Sequence, residues 1–168
     1  MKTSKRIAPL SRLAASVMTV VFATMLLANC MLAQAAPISQ ELVQRGAYLA
    51  QAGDCIACHT AREGQPFAGG QPFDISVGRV YSTNITPDLE TGIGHYSLDD
   101  FVKAMREGVA EDGHRLYPAM PYTSYARLSQ ADLLALYACF MQGVKPVHKS
   151  NHPAQLKWPL GVRSFMAV

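Results

Sequence analysis

Cys55-Ile56-Ala57-Cys58-His59 sets two thiols one helical turn apart, with an imidazole directly after the second. Each thiol can add across one vinyl group of a single porphyrin. The imidazole is then held under the ring, where a nitrogen can bind iron. This C-x-x-C-H spacing is the attachment pattern of c-type haem. Two other uses of paired cysteines compete with it. A redox dithiol of the thioredoxin kind needs the thiols alone, in a βαβ setting that this sequence lacks. A structural zinc site needs a second ligand pair, whereas Cys30 and Cys139 are single and far apart.

An electron-carrying haem usually takes a second axial ligand from the protein. Beyond residue 35 the methionines are Met105, Met120, Met141 and Met166. Met120 lies in Tyr117-Pro118-Ala119-Met120-Pro121-Tyr122, where prolines restrict the backbone and lower the entropy lost when a sulfur is presented to a metal. Met105 and Met141 fall at apolar helical positions and read as core filler. Met166 is close to the end of the chain. His95, His114, His148 and His152 are competing donors, each among polar or turn residues and each read as a surface histidine.

Helices and loops must position these residues. Ser39 is an N-cap for a helix to about Ala52, with Leu42, Val43, Gly46, Leu49 and Ala50 on one face. Gly53 stops it just before the cysteine motif. Residues 61–95 are rich in Gly, Pro, Asn and Thr, show no sustained periodicity, and are expected to wrap an object of porphyrin size. Ser97-Leu98-Asp99-Asp100 is a capping box opening a second helix, with Phe101, Ala104, Met105 and Val109 inward. Ser129-Gln130-Ala131-Asp132 opens a third through about Gln142, with Leu133, Leu136, Tyr137 and Phe140 on its apolar side. The expected fold class is all-α: three main helices around a covalent haem, with long wrapping loops.

The first residues read as an address. Lys2, Lys5, Arg6 and Arg12 precede an apolar run from Leu13 to Ala28, and Ala33-Gln34-Ala35 is a small-x-small cleavage site. This is the pattern of a secretory signal peptide, residues 1–35; an uncleaved membrane anchor and a lipoprotein modified at Cys30 are the alternative readings. The expected organisation is then a cytochrome domain over 36–144 and an extended tail, or the start of a linker, over 145–168. Four of the fifteen basic residues precede Ala35, so eleven basic residues face twelve acidic ones after it. The basic balance of the whole chain belongs to the leader and argues against a nucleic-acid partner. The remaining 133 residues suffice for one domain.

Leader, N-terminal helix, C-x-x-C-H, loop methionine and C-terminal helix together resemble class I cytochrome c. The chain is more similar still to the N-terminal haem domain of the cytochrome c subunit of membrane-bound bacterial alcohol, aldehyde and gluconate dehydrogenases. The resemblance rests on Arg45-Gly46-Ala47-Tyr48-Leu49, Gly53-Asp54-Cys55 to Thr60, Phe67-Ala68-Gly69-Gly70, Tyr81 to Pro87, Gly92-Ile93-Gly94-His95-Tyr96 and Leu116 to Tyr122. It implies a periplasmic protein, at the periplasmic face of the inner membrane through its partners. Electrons would come from a quinoprotein or flavoprotein dehydrogenase subunit and leave to a downstream acceptor. The family subunit has three haem domains and reduces ubiquinone. This sequence carries one C-x-x-C-H, so quinone reduction is not transferred to it. Cys139 stands where the family usually has an aromatic residue and reads as a small buried hydrophobe. Gly46 is expected at a close crossing of the first and last helices, facing Tyr137 or Phe140.

The functional expectation is a single-electron carrier. One haem c is bound covalently by Cys55 and Cys58, with His59 and Met120 as axial iron ligands. No nucleophile–base pair and no open coordination position are foreseen, so the chain is not expected to be an enzyme. Two alternatives differ in class: a five-coordinate haem enzyme or gas sensor, and an unloaded fragment of a split multihaem subunit.

Overall fold

The computed structural model describes residues 38–157; the leader, Cys30 and Met166 lie outside them. Helix α1 spans Gln40–Ala52 and is capped by Ser39, whose hydroxyl accepts from the Leu42 amide at 3.2 Å. Helix α2 is the short turn Cys55–Cys58. Strands β1 (Pro72–Ile75) and β2 (Gly78–Tyr81) follow, then helix α3 (Leu98–Glu107). The expected capping box is present there: Ser97 accepts from the Asp100 amide and the Asp100 carboxylate accepts from the Ser97 amide. Helix α4 is Tyr122–Tyr125, helix α5 is Gln130–Ala138, and strand β3 is Gln155–Leu156.

The all-α expectation is overturned. Strands β1, β2 and β3 form an antiparallel sheet in that order, with Ile75 opposite Gly78 and Gly78 opposite Leu156. The hairpin falls within the 61–95 stretch read as irregular. Its strands have four residues each, too short for alternation to emerge from a Gly- and Pro-rich background. Gly78 is required at the crossing, because a Cβ there would lie 2.2 Å from the Gln155 carbonyl oxygen.

Helices α1 and α5 pack together, and Gly46 is the reason they can. A Cβ at Gly46 would lie 1.9 Å from the carbonyl oxygen of Ala135 and 2.6 Å from Cβ of Cys139. The crossing is therefore made against Ala135 and Cys139, and not against Tyr137 or Phe140. Arg45 and Asp132 tie the same helices at the surface, 2.7 Å apart. After Ala138 the helix widens into a π-turn over Cys139–Gly143, closed by the Val144 amide on the Cys139 carbonyl. Cys139 is buried, and burial raises its thiol pKa. The core joins Ala50, Phe101, Met105, Leu133, Leu136 and Phe140; Phe140 meets Phe67 edge-on at 5.4 Å. Val109 lies past the end of α3 and is half-buried. Among the described residues no helix is long and apolar enough to cross a membrane.

Segment 144–157 is bonded back onto the loop after β2. Asn84 and Thr86 are the buried polar centre of this contact, at 1% and 0% exposure. The Asn84 amide group donates to the Val147 carbonyl at 2.7 Å and to Thr91 Oγ1 at 3.0 Å. Asn84 Oδ1 accepts from the amide and hydroxyl of Thr86. The Val147 amide donates to Thr86 Oγ1, and Lys149 Nζ donates to the Gly69 carbonyl at 2.8 Å. Such groups remain buried because their partners satisfy them.

Candidate functional site

Cys55, Cys58, His59 and Met120 line one cavity. Its lining is mainly apolar, as sites for small molecules and cofactors usually are, with a few polar groups converging on it.

The cysteine turn is set up by Asp54, which takes a left-handed backbone (φ 57°) between α1 and α2. Aspartate tolerates that conformation better than most residues. The turn brings His59 beneath the hairpin, with Nδ1 2.8 Å from the Thr83 carbonyl oxygen. A carbonyl only accepts, so Nδ1 carries the proton and Nε2 keeps its lone pair. Burial holds the imidazole pKa below its ordinary 6.5, against an opposing push from the Thr83 carbonyl. A neutral ring with one oriented nitrogen free is what a metal ligand requires. Burial also pushes the Cys55 thiol up to about 11. Redox dithiols work the other way, through a depressed thiol pKa. Among the described residues no three His, Cys, Asp or Glu side chains assemble as a metal site.

Met120 enters the cavity from the loop before α4. The Met120 amide donates to the Tyr117 carbonyl at 3.1 Å, and the Tyr122 amide donates to the Met120 carbonyl at 2.9 Å. These bonds fold Tyr117 to Tyr122 into consecutive tight turns. Met105 also lines the cavity, from α3, where it is buried in the core with Phe101 and Leu136. His95, His114, His148 and His152 do not line it. Met141 packs on the core outside the lining.

Three contributors were not foreseen from sequence. Phe73, Val80 and Tyr81 make a wall from the unexpected sheet. Thr83 acts through its backbone carbonyl, which any residue type could supply. Tyr125 lines the cavity and donates its hydroxyl to the Gly53 carbonyl at 2.9 Å. Only an aromatic in a short loop helix marks it in the sequence.

The donor set and apolar lining fit a covalent haem c. No protein-family model matches the chain. Curated relatives do. It is 59% identical over 127 residues to the gluconate 2-dehydrogenase cytochrome c subunit of Pantoea cypripedii, covering 76% of this chain and 29% of that protein. It is 53% identical over 131 residues to the alcohol dehydrogenase (quinone) cytochrome c subunit of Gluconobacter oxydans, covering 78% and 27%. It is 48% identical over 127 residues to the fructose dehydrogenase cytochrome subunit of Gluconobacter japonicus, covering 75% and 26%. The chain thus spans between a quarter and a third of the length of these relatives. With a cysteine–histidine turn and a loop methionine on one apolar cavity, and with these identities, the chain belongs to the family of cytochrome c subunits of gluconate, alcohol and fructose dehydrogenases.

Proposed function

We propose that this protein is a one-electron carrier with a single haem c. Cys55 and Cys58 hold the haem by thioether bonds, and His59 and Met120 are its axial ligands. The observation that carries this reading is that two separate segments, 55–59 and 117–122, bring these four side chains to one apolar cavity. Bound haem supplies a ferric/ferrous couple, and thioether ligation raises its potential. The protein's own part is to orient and exclude. The Thr83 carbonyl holds the His59 ring, and Ile85, Ile93, Phe101 and Phe140 keep water from the site. Met120 is preferred over Met105 because its loop lies outside the helical core. Core packing already accounts for Met105.

The proposed partners are a dehydrogenase subunit as donor and a respiratory-chain acceptor, since the relatives are named as subunits of dehydrogenases. The proposed place is the periplasm, with any membrane association made through partners. Residues 1–35 as a leader and 36–144 as the cytochrome domain belong to the same proposal. The test is expression with its leader in a host that attaches haem, followed by haem staining of a denaturing gel. One equivalent of gel-stable haem, with the long-wavelength ferric band of methionine ligation, is expected. A chain that folds and is exported yet never retains haem would sink the reading.

A further inference from the structure

We infer that Asn151 is a positioning residue for His59, acting through the single peptide unit between Thr83 and Asn84. The carbonyl of that peptide faces His59 Nδ1 at 2.8 Å. The N–H of the same peptide donates to Asn151 Oδ1 at 2.7 Å. Asn151 is itself fixed, its Nδ2 donating to the Thr91 carbonyl at 3.0 Å. The chain of bonds runs from Thr91 through Asn151 and one peptide to the imidazole. Residue 151 is thereby linked, through one peptide, to a histidine 92 positions earlier.

Two effects follow, and both rest on His59 being the proximal ligand. The first is orientation. A peptide clamped at its N–H cannot swing its carbonyl away from Nδ1. The second is electronic. Accepting at one end and donating at the other polarises the peptide, and hydrogen bonds in such chains strengthen one another. A stronger acceptor at Nδ1–H makes the imidazole a better donor to metal, as second-shell partners of metal-bound histidines do. Ferric iron gains more from that than ferrous iron. Asn151 therefore lowers the reduction potential, partly opposing the rise caused by Met120.

The position suits the role. Asn151 is exposed whereas Asn84 is buried, so substitution at 151 reaches the peptide without excavating the core. Thr86 is bonded to the same 144–157 strap through Val147, but within its own loop it bonds the Asn84 side chain and not the Thr83–Asn84 peptide.

The experiment compares the haem-loaded full chain with Asn151→Leu, Asn151→Asp and Thr86→Val. The readouts are midpoint potential, the proton resonance of His59 Nδ1–H, exchange protection of the Asn84 amide, and melting temperature. Asn151→Leu keeps the strap covered but removes the acceptor. It should raise the potential by a few-fold shift of the ferrous/ferric equilibrium, move the Nδ1–H resonance upfield, and release the Asn84 amide to exchange. Asn151→Asp retains an acceptor and should hold the potential at or below the parent value. Thr86→Val should lower the melting temperature and leave the potential and the Nδ1–H resonance in place. Potentials that fall together with melting temperature in all three variants would overturn the inference, as would an Asn151→Leu protein with the parent's potential and resonance. Were the parent chain to bind no covalent haem, the proposed function would fail first and this inference with it.

Discussion

The two sides of the cavity are built by different means. On the histidine side, almost every group is fixed through its neighbours. Gly46 locks α1 against α5, Asp54 turns the chain into α2, Thr83 holds the ring, and the 144–157 strap holds the loop that carries Thr83. On the methionine side, Met120 sits between prolines in two tight turns, closed by backbone bonds that span only two or three residues. One side is ordered by long-range contacts and the other by local stiffness. The lesson is that a histidine must be aimed, because only one of its nitrogens can serve. A thioether needs only to be delivered to the right place. In the proposed ligation the flanking prolines would lower the entropy lost on presenting the sulfur.

The strongest way to break this contrast is to remove the attachment itself. The double variant Cys55→Ala/Cys58→Ala should lose all gel-stable haem, while Cys139→Ala should retain it. Haem stain remaining in the double variant would place the covalent site elsewhere.

Next comes the methionine side alone. Met120→Ala should abolish the methionine band, turn the ferric haem high-spin or water-ligated, and lower the potential. The hydrogen bond from His59 Nδ1–H to the Thr83 carbonyl should survive, because none of the bonds that hold it passes through residues 117–122. Met105→Leu, a volume-conserving change in the core, should leave the spectrum intact. Should Met105→Leu reproduce the Met120→Ala spectrum, the ligand assignment is wrong and the contrast between the sides goes with it.

A smaller effect tests the anchoring of the histidine side. Alanine in place of glycine ordinarily stabilises a helix by about 1 kcal/mol. At Gly46 the new methyl would overlap a backbone oxygen at 1.9 Å, which cannot rotate away. Gly46→Ala should therefore reverse the usual sign and destabilise by roughly 1–3 kcal/mol, the common range for overpacking. Thermal melting decides it; a raised melting temperature would remove the crossing from the account.

What was legible in the sequence follows the same division. The proposed chemistry rests on side chains at short spacing, so the cysteine–histidine turn and the proline-bounded methionine stand out in the sequence as candidates, and both line the same cavity. The caps at Ser39, Ser97 and Ser129 were equally local and mark the helix starts. What escaped was long-range. The partner of His59 is a backbone carbonyl 24 residues away, and backbone groups leave no signature in residue type. Strand β2 needs β1 and β3 beside it, and two of its pairings involve residues more than 70 positions distant. The resemblance puts Gly46 at a helix crossing, but the residues that face it depend on helix rotation, which a match of motifs does not fix.

The smallest expected effect probes a hydrogen bond that joins the two sides. Tyr125 begins its path on the methionine side, in α4, directly after Pro121. Its hydroxyl ends on the Gly53 carbonyl, at the close of α1 and two residues before Cys55. A carbonyl at a helix end lacks the next intrahelical donor, so a side-chain hydroxyl is a natural substitute. Tyr125→Phe keeps the ring in the cavity wall and removes only this bond. The loss should be about 0.5–1.5 kcal/mol, read as a fall of several degrees in melting temperature. The informative measurement is the cycle with Met120→Ala. If the bond ties the two sides together, the double variant should lose less than the sum of the single losses, by more than about 0.5 kcal/mol. Strict additivity, with unchanged exchange at the amides of 55–59, would mean that the methionine side moves independently of the histidine side, and that Tyr125 serves only to close α1.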